Sequence, residues 1–143
     1  MAGKVVYTAE AHVTGGRTEG HGKSSDGALE VDLRPPGADE AGTNPEQLFA
    51  VGYAACFEGA LSAVARREKA DLGEVAIDSK VHLVTNDDRG FEVGVGLDVT
   101  LGGIGDIDQA KEIVAAAHEV CPYSNATRGN IEVALSVNGE PVG

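Results

Sequence analysis

The chain has 143 residues, 42% of them hydrophobic, which is enough for one domain with a buried core and too many for a disordered chain. Its formal net charge is −12, from 23 acidic and 11 basic residues, so its surface repels nucleic acids and anionic membranes. We therefore predict a single domain over residues 1–143 that binds neither nucleic acid nor membrane.

The first ten residues are polar and alternating, without the apolar segment of a signal peptide. No run of about 18 apolar residues occurs, and this predicts that no segment spans a membrane. We expect a cytoplasmic protein. In the cytosol, pairing between cysteines is transient and catalytic rather than structural.

Short alternating segments at the N-terminal end predict a meander of three strands. The turn signals Gly15-Gly16 and Asp26-Gly27 separate these segments, which are residues 4–13, 20–25 and 28–33. Residues 34–42 contain two prolines and two glycines and are predicted to form a loop.

A long helix is predicted over residues 45–69, about 37 Å at 1.5 Å per residue. Asn44 can cap its start, Pro45 suits the first helical position, and Glu46 lies favourably at the positive end of the helix dipole. Small residues recur at spacings of three and four, which predicts a central, buried helix against which another backbone packs closely. They are Gly52, Ala55, Cys56, Gly59, Ala60 and Ala63.

The C-terminal half predicts a hairpin, a helix and a last strand. The hairpin strands are residues 75–84 and 91–101, joined by a turn at 86–90. A helix over Ile107–Val120 is interrupted at Cys121-Pro122, and then come one more helical turn at 124–129 and a strand at 131–137. The order βββ-α-ββ-α-β indicates an α+β fold.

The chain has two cysteines, 65 residues apart, so no CxxC motif exists. From the residues alone, Cys56 is either a small buried core residue or a nucleophile, and Cys121 is either a bystander thiol or its redox partner. His118 lies three residues before Cys121, which leaves a Cys–His hydrolase open. The remaining histidines are scattered, and we predict no metal site.

Three segments together resemble one known family. They are residues 15–17 (GGR), 43–57 (TNPEQLFAVGYAACF) and 120–130 (VCPYSNATRGN). In order, spacing and sequence they are similar to the organic hydroperoxide resistance proteins, the Ohr branch of the Ohr/OsmC family. The third segment in particular favours Ohr over the OsmC branch.

The resemblance implies a Cys-based peroxidase for alkyl and lipid hydroperoxides. It implies antiparallel sheets wrapped around long central helices, in an intertwined homodimer with active sites at the subunit interface. Carried over by position, Cys56 matches the peroxidatic thiol, Cys121 the resolving thiol, Arg17 the thiolate-stabilising cation and Glu46 its acidic partner. No cofactor is implied, because lipoyl groups of lipoylated proteins supply the reducing equivalents.

Two points at the predicted site are particular to this chain. Thr18 and Glu19 follow the arginine where the family often has aspartate, so the contacts of this hairpin differ. Glu46 and Cys56 are ten residues apart, about 15 Å along one helix, which suggests that Glu46 of one subunit serves Arg17 and Cys56 of the other. The alternatives to a peroxidase are a Cys–His hydrolase or thioester-handling enzyme, and a non-catalytic ligand-binding or stress-sensing module.

Overall fold

The computed structural model of the chain describes residues 3–88 and 90–143. Met1, Ala2 and Arg89 lie outside the described residues, and with them parts of the predictions for the N-terminal segment and for the turn at 86–90. The chain divides into two compact units, Met1–Leu48 and Phe49–Gly143. The prediction of a single domain stays a prediction.

The first unit contains an antiparallel sheet of three strands in the order β1-β2-β3. They are β1 (Ala11–Thr14), β2 (Gly20–Ser24) and β3 (Glu30–Leu33). The predicted meander is confirmed, but β1 is shorter than residues 4–13. Its partner β2 has only five residues, so the ladder has no room for the rest of the predicted strand. A four-residue helix, α1 (Gly16–Glu19), fills the predicted turn between β1 and β2.

The long helix is α2 (Pro45–Glu68), one residue shorter than predicted. The predicted cap is confirmed, because the side-chain oxygen of Asn44 accepts a hydrogen bond from the backbone N–H of Gln47 at 2.9 Å. Lys69 follows with a φ of 56°, in the left-handed region that ends helices.

Only one face of α2 is buried, which corrects the prediction of a buried helix. The face in the core is formed by Tyr53, Phe57, Ala60, Leu61, Val64 and Ala65. Half of the predicted small-residue band, Ala55, Gly59 and Ala63, is exposed on the opposite side, whereas Ala60 lies in the core. The exposed half of the band is thus a surface of the single chain.

By length and composition α2 is apolar enough to cross a membrane, which the search for an uninterrupted apolar run did not reveal. A helix that forms the core of a soluble protein passes the same test. The buried face of α2 joins the same core cluster as the sheet and a second helix of its unit. We therefore describe α2 as a core helix.

The second unit contains a sheet of four strands in the order β4-β5-β6-β7. They are β4 (Val75–Asn86), β5 (Gly90–Leu101), β6 (Val133–Val137) and β7 (Glu140–Val142). The α+β class is confirmed, but the sheet is mixed rather than antiparallel, because β5 and β6 run parallel. Two helices connect these strands, and such a crossover returns the chain in the same direction. β7 was not predicted, because it has only three residues and contains Pro141. An edge strand tolerates a proline.

The crossover consists of α3 (Ile107–Val120) and α4 (Pro122–Thr127). Both predicted bounds of α3 are confirmed. Asp106 caps its start by accepting hydrogen bonds from the backbone N–H groups of Asp108 and Gln109. Cys121 separates the two helices, and Pro122 occupies the first turn of α4. The buried face of α3 joins the core through Ala110, Ile113, Val114 and Ala117.

A tight crossing of two loops yields a stability prediction. A Cβ at Gly103 would lie 2.6 Å from the backbone nitrogen of Gly73 and 2.7 Å from the carbonyl oxygen of Asp71. Because backbone atoms cannot move aside cheaply, Gly103→Ala should lower the free energy of unfolding by about 1–3 kcal/mol in urea titrations. Gly105→Ala is the matched control, since a Cβ there meets no heavy atom within 4 Å. Equal stability of the two variants would contradict the crossing.

Candidate active site

Two helices of the second unit bring the two thiols of the chain together. Cys56 lies in the middle of α2, and Cys121 lies between α3 and α4. Both cysteines are free, and the thiol of Cys121 donates to the sulfur of Cys56 with an Sγ–Sγ distance of 3.7 Å. Cys121 is buried, whereas Cys56 is partly exposed. Cys56 is therefore the thiol that a molecule from solution can reach.

The surroundings of Cys56 act on its ionisation in opposite directions. Burial raises the pKa of the Cys56 thiol, and the neighbouring Cys121 raises it further. The backbone N–H of Tyr123, in the first turn of α4, lowers the pKa. Burial is the largest influence, so the net shift is upward. A thiolate at Cys56 therefore needs further stabilisation.

A buried hydrogen-bond network holds α4 in place. The hydroxyl of Tyr53 on α2 lies 2.8 Å from Ser124 Oγ and 3.0 Å from Thr127 Oγ1. His118 Nδ1 on α3 lies 2.8 Å from the same Ser124 Oγ. Tyr53, Ser124 and Thr127 are all buried. The network thus joins α4 to both long helices of the unit.

His118 belongs to this network. Burial lowers the pKa of its imidazole most, and the charge of Arg128 lowers it further. A Cys–His hydrolase needs the imidazole bonded to the nucleophilic thiol. Here Nδ1 bonds to a serine, while Cys56 has Cys121 and the Tyr123 N–H as its partners. The geometry does not favour a Cys–His hydrolase.

Three aromatic rings cluster beside the thiols. The Phe49 ring stacks on Tyr123 with centroids 5.6 Å apart, and Tyr53 lies at 5.7 Å from Phe49 and 5.5 Å from Tyr123. Gly52 gives this cluster room, because a Cβ there would lie 3.1 Å from the Tyr123 hydroxyl. Phe57, next to Cys56 in sequence, is fully buried in the core.

The other two predicted residues meet in the first unit. Arg17, on α1, forms an ion pair with Glu46 in the first turn of α2. The Arg17 side chain is half exposed, whereas that of Glu46 is mostly buried. The tight turn that carries Arg17 requires Gly20, where a Cβ would lie 1.9 Å from the carbonyl oxygen of Gly16. Arg17 and Glu46 thus pair within one chain, which corrects the hypothesis that Glu46 serves the Arg17 of the other subunit.

The structure brings the four predicted residues together as two pairs, Cys56 with Cys121 and Arg17 with Glu46. Sequence reasoning missed the polar network. One signal could have found it. Tyr53 lies three residues before Cys56, and Ser124 lies three residues after Cys121, so each thiol has a hydroxyl group about one helical turn away.

The structure contains no metal-type cluster in the residues it describes. Over residues 3–88 and 90–143, no group of three or more His, Cys, Asp or Glu side chains could hold a metal ion.

Comparisons with known proteins agree on one family. The family model for OsmC-like protein matches residues 36–136. The chain is 52% identical over 139 residues to an organic hydroperoxide resistance protein of Xanthomonas axonopodis pv. citri, covering 94% of this chain and 96% of the relative. It is 46% identical to the organic hydroperoxide resistance protein OhrB of Bacillus subtilis, covering 92% and 98%.

Solved structures support the same assignment. A crystal structure of an organic hydroperoxide resistance protein from Legionella pneumophila has a TM-score of 0.88 and 48% identity, covering 94% of this chain and 98% of that one. A putative organic hydroperoxide resistance protein from Vibrio cholerae, with captopril bound in one of its active sites, has a TM-score of 0.91 and 41% identity over 99% of both chains. The chain belongs to the OsmC-like family, among its organic hydroperoxide resistance proteins.

Proposed function

We propose that this protein is a thiol peroxidase that reduces organic hydroperoxides to alcohols, with Cys56 as the attacking thiol and Cys121 as the resolving thiol. The observation that carries the proposal is the 3.7 Å separation of the two sulfurs, one partly exposed and one buried. The name of the relatives, organic hydroperoxide resistance protein, supports the substrate class.

The reaction has three balanced steps. The Cys56 thiolate attacks the terminal oxygen of the hydroperoxide, the O–O bond breaks, and the alkoxide takes up a proton and leaves as an alcohol. Cys56 is then a sulfenic acid. The Cys121 thiol attacks its sulfur, water leaves, and a disulfide forms. An external dithiol reduces this disulfide by thiol exchange and is itself oxidised.

A cation must offset the effect of burial on the attacking thiol. A guanidinium keeps its charge and can stabilise both the thiolate and the charge that develops on the leaving alkoxide. Arg17 fills this role in the proposed mechanism, and Glu46 holds its guanidinium in place through the ion pair. Neutralising Arg17 with Glu46 also lowers the cost of burying it when substrate and protein close around it.

The apolar surroundings of Cys56 favour substrates with an apolar alkyl group. Phe49 and Tyr123 form a stacked pair next to Cys56, and their rings can bury the alkyl group of an organic hydroperoxide. Hydrogen peroxide has no such group and gains nothing from this surface. The proposed preference is therefore for alkyl and lipid hydroperoxides.

The working form that we propose is a homodimer. The exposed face of α2 carries Ala55, Gly59 and Ala63, and Gly59 has no heavy atom within 4 Å of a Cβ position. Beside them, Val51 is 72% exposed. Small side chains let another backbone approach closely, and a second copy of the chain would bury this apolar face. Arg17 with Glu46 of one subunit would then act on Cys56 of the other.

The remaining parts of the proposal concern the surroundings of the enzyme. The reductant is a dithiol of the lipoyl type carried by another protein, so the enzyme itself needs no cofactor. The location is the cytoplasm, where the disulfide of the catalytic cycle is reduced again after each turnover.

Counting thiols tests the reaction. Reduced protein treated with tert-butyl hydroperoxide should lose both thiols, and Cys56→Ser should lose none, because Cys121 is buried. Cys121→Ser should still consume the hydroperoxide and stop at a sulfenic acid that a dimedone-type reagent traps. Hydrogen peroxide at the same concentration should react more slowly. An unchanged thiol count in the wild-type protein would contradict a peroxidase.

The pH dependence of the first step tests Arg17. Removing its charge in Arg17→Ala should raise the pKa of Cys56 further, so that the rate of hydroperoxide reduction rises with pH at higher values than in the wild type. A shift of one pKa unit would slow the reaction about ten-fold at neutral pH. Arg66→Ala removes the same charge from the exposed end of α2 and is the matched control. An identical pH profile for both variants would remove Arg17 from the mechanism.

Mixed dimers test whether the site is shared. Arg17→Ala and Cys56→Ser subunits are expressed together with different tags, and the heterodimer is purified on both. If Arg17 acts on the partner's thiol, this heterodimer has one complete site and should recover about half of the wild-type rate per dimer. If Arg17 acts within its own chain, both sites are damaged, and the heterodimer should be no faster than the Arg17→Ala homodimer.

A further inference from the structure

The short helix α4 presents two groups to Cys56. Its preceding residue, Cys121, places a thiol 3.7 Å from the Cys56 sulfur. The backbone N–H of Tyr123 in its first turn lowers the pKa of the same thiol, although burial outweighs it. The position of α4 relative to α2 therefore sets the distance between the two thiols.

Several contacts tie α4 to α3. The backbone N–H of Cys121 donates to the carbonyl oxygen of Ala117 at 2.9 Å. The guanidinium of Arg128 donates to the carbonyl oxygen of His118 at 2.7 Å and so joins the end of α4 to the last turn of α3. These contacts fix α4 on the helix that does not carry Cys56. They leave open what holds it against α2.

The rings of Phe49 and Tyr53 contact Tyr123 across the boundary between α2 and α4, and the Tyr53 hydroxyl adds directional hydrogen bonds. This hydroxyl, fully buried on α2, makes hydrogen bonds to Ser124 and Thr127, which lie three residues apart on α4. In the described part of the chain these are the side-chain to side-chain hydrogen bonds between α2 and α4. Tyr53 and Cys56 are three residues apart, so they share a helix face and meet the same element.

We propose that Tyr53 is a positioning residue for disulfide formation: by fixing α4 on α2, it holds Cys121 ready to attack the Cys56 sulfenic acid. The proposal rests on the proposed peroxidase function and assigns a residue to its second step. In that step the Sγ–Sγ bond forms at about 2.05 Å, the S–O bond of the sulfenic acid breaks, and its hydroxyl leaves with the Cys121 proton as water. The sulfurs therefore approach each other from 3.7 Å in a defined direction.

The two steps depend on α4 to different extents. Hydroperoxide reduction needs an exposed thiolate on α2 and does not involve the Cys121 sulfur. Condensation needs both sulfurs in line, and small errors of placement are costly for a reaction between two groups of one protein. A loosened α4 should thus slow condensation more than hydroperoxide reduction.

Rapid-quench measurement of both steps tests the proposal. Reduced Tyr53→Phe is mixed with one equivalent of tert-butyl hydroperoxide, and sulfenic acid and disulfide are quantified over time by mass spectrometry after dimedone trapping. We expect the first step to change little, disulfide formation to slow about ten-fold, and sulfenic acid to accumulate. Condensation at the wild-type rate in a folded Tyr53→Phe protein would overturn the proposal.

Three further proteins keep the test decisive. Tyr7→Phe removes a hydroxyl from a side chain that is 78% exposed, and it should condense at the wild-type rate. If Tyr53→Phe does not fold, Thr127→Val and Thr127→Ser replace it. The serine variant keeps the hydroxyl and should condense faster than the valine variant, and equal rates would overturn the proposal. A wild-type protein that forms no disulfide would instead overturn the peroxidase function itself.

Discussion

The burial of three hydroxyl groups between α2 and α4 is the constraint on which the thiol site depends. A hydroxyl removed from water without a partner costs about 1–3 kcal/mol, so Tyr53, Ser124 and Thr127 must find one another. They do so in the observed placement of α4 on α2, with distances of 2.8 and 3.0 Å. An apolar contact would allow α4 to slide, whereas this network specifies its position. The 3.7 Å separation of the sulfurs follows from that position.

Burial also opposes ionisation of the attacking thiol, Cys56. The environment that keeps Cys121 out of solvent and surrounds Cys56 with aromatic rings raises the pKa of Cys56, because the charged thiolate is disfavoured there. One backbone N–H works in the other direction and does not outweigh burial. The same surroundings strengthen any charge interaction that reaches the thiolate, since water does not screen it. A single guanidinium with a fixed partner is then sufficient in the proposed mechanism.

The helix boundaries were predicted correctly where local sequence signals were strong. Asn44 with Pro45 marked the start of α2, Asp106 marked α3, and Pro122 marked the break between α3 and α4. Local signals carry no information on pairing partners, which is why the length of β1 and the parallel β5–β6 pair were missed. The site followed the same rule. The residue types and the resemblance pointed to Cys56, Cys121, Arg17 and Glu46, whereas the Tyr53 network joins residues 71 and 74 positions apart.

The two faces of α2 differ in the size of their side chains. On one face the large residues Tyr53, Phe57 and Leu61 are fully buried and fix the helix in the core. On the other face the residues are small, so the apolar area left in water is modest for a helix of 24 residues. Small residues cost helix stability, about 1 kcal/mol for each glycine relative to alanine. A second backbone that packs against this face would offset that cost, and the proposed dimer therefore accounts for Gly59, where an added Cβ would meet no heavy atom within 4 Å beyond the neighbouring helix backbone.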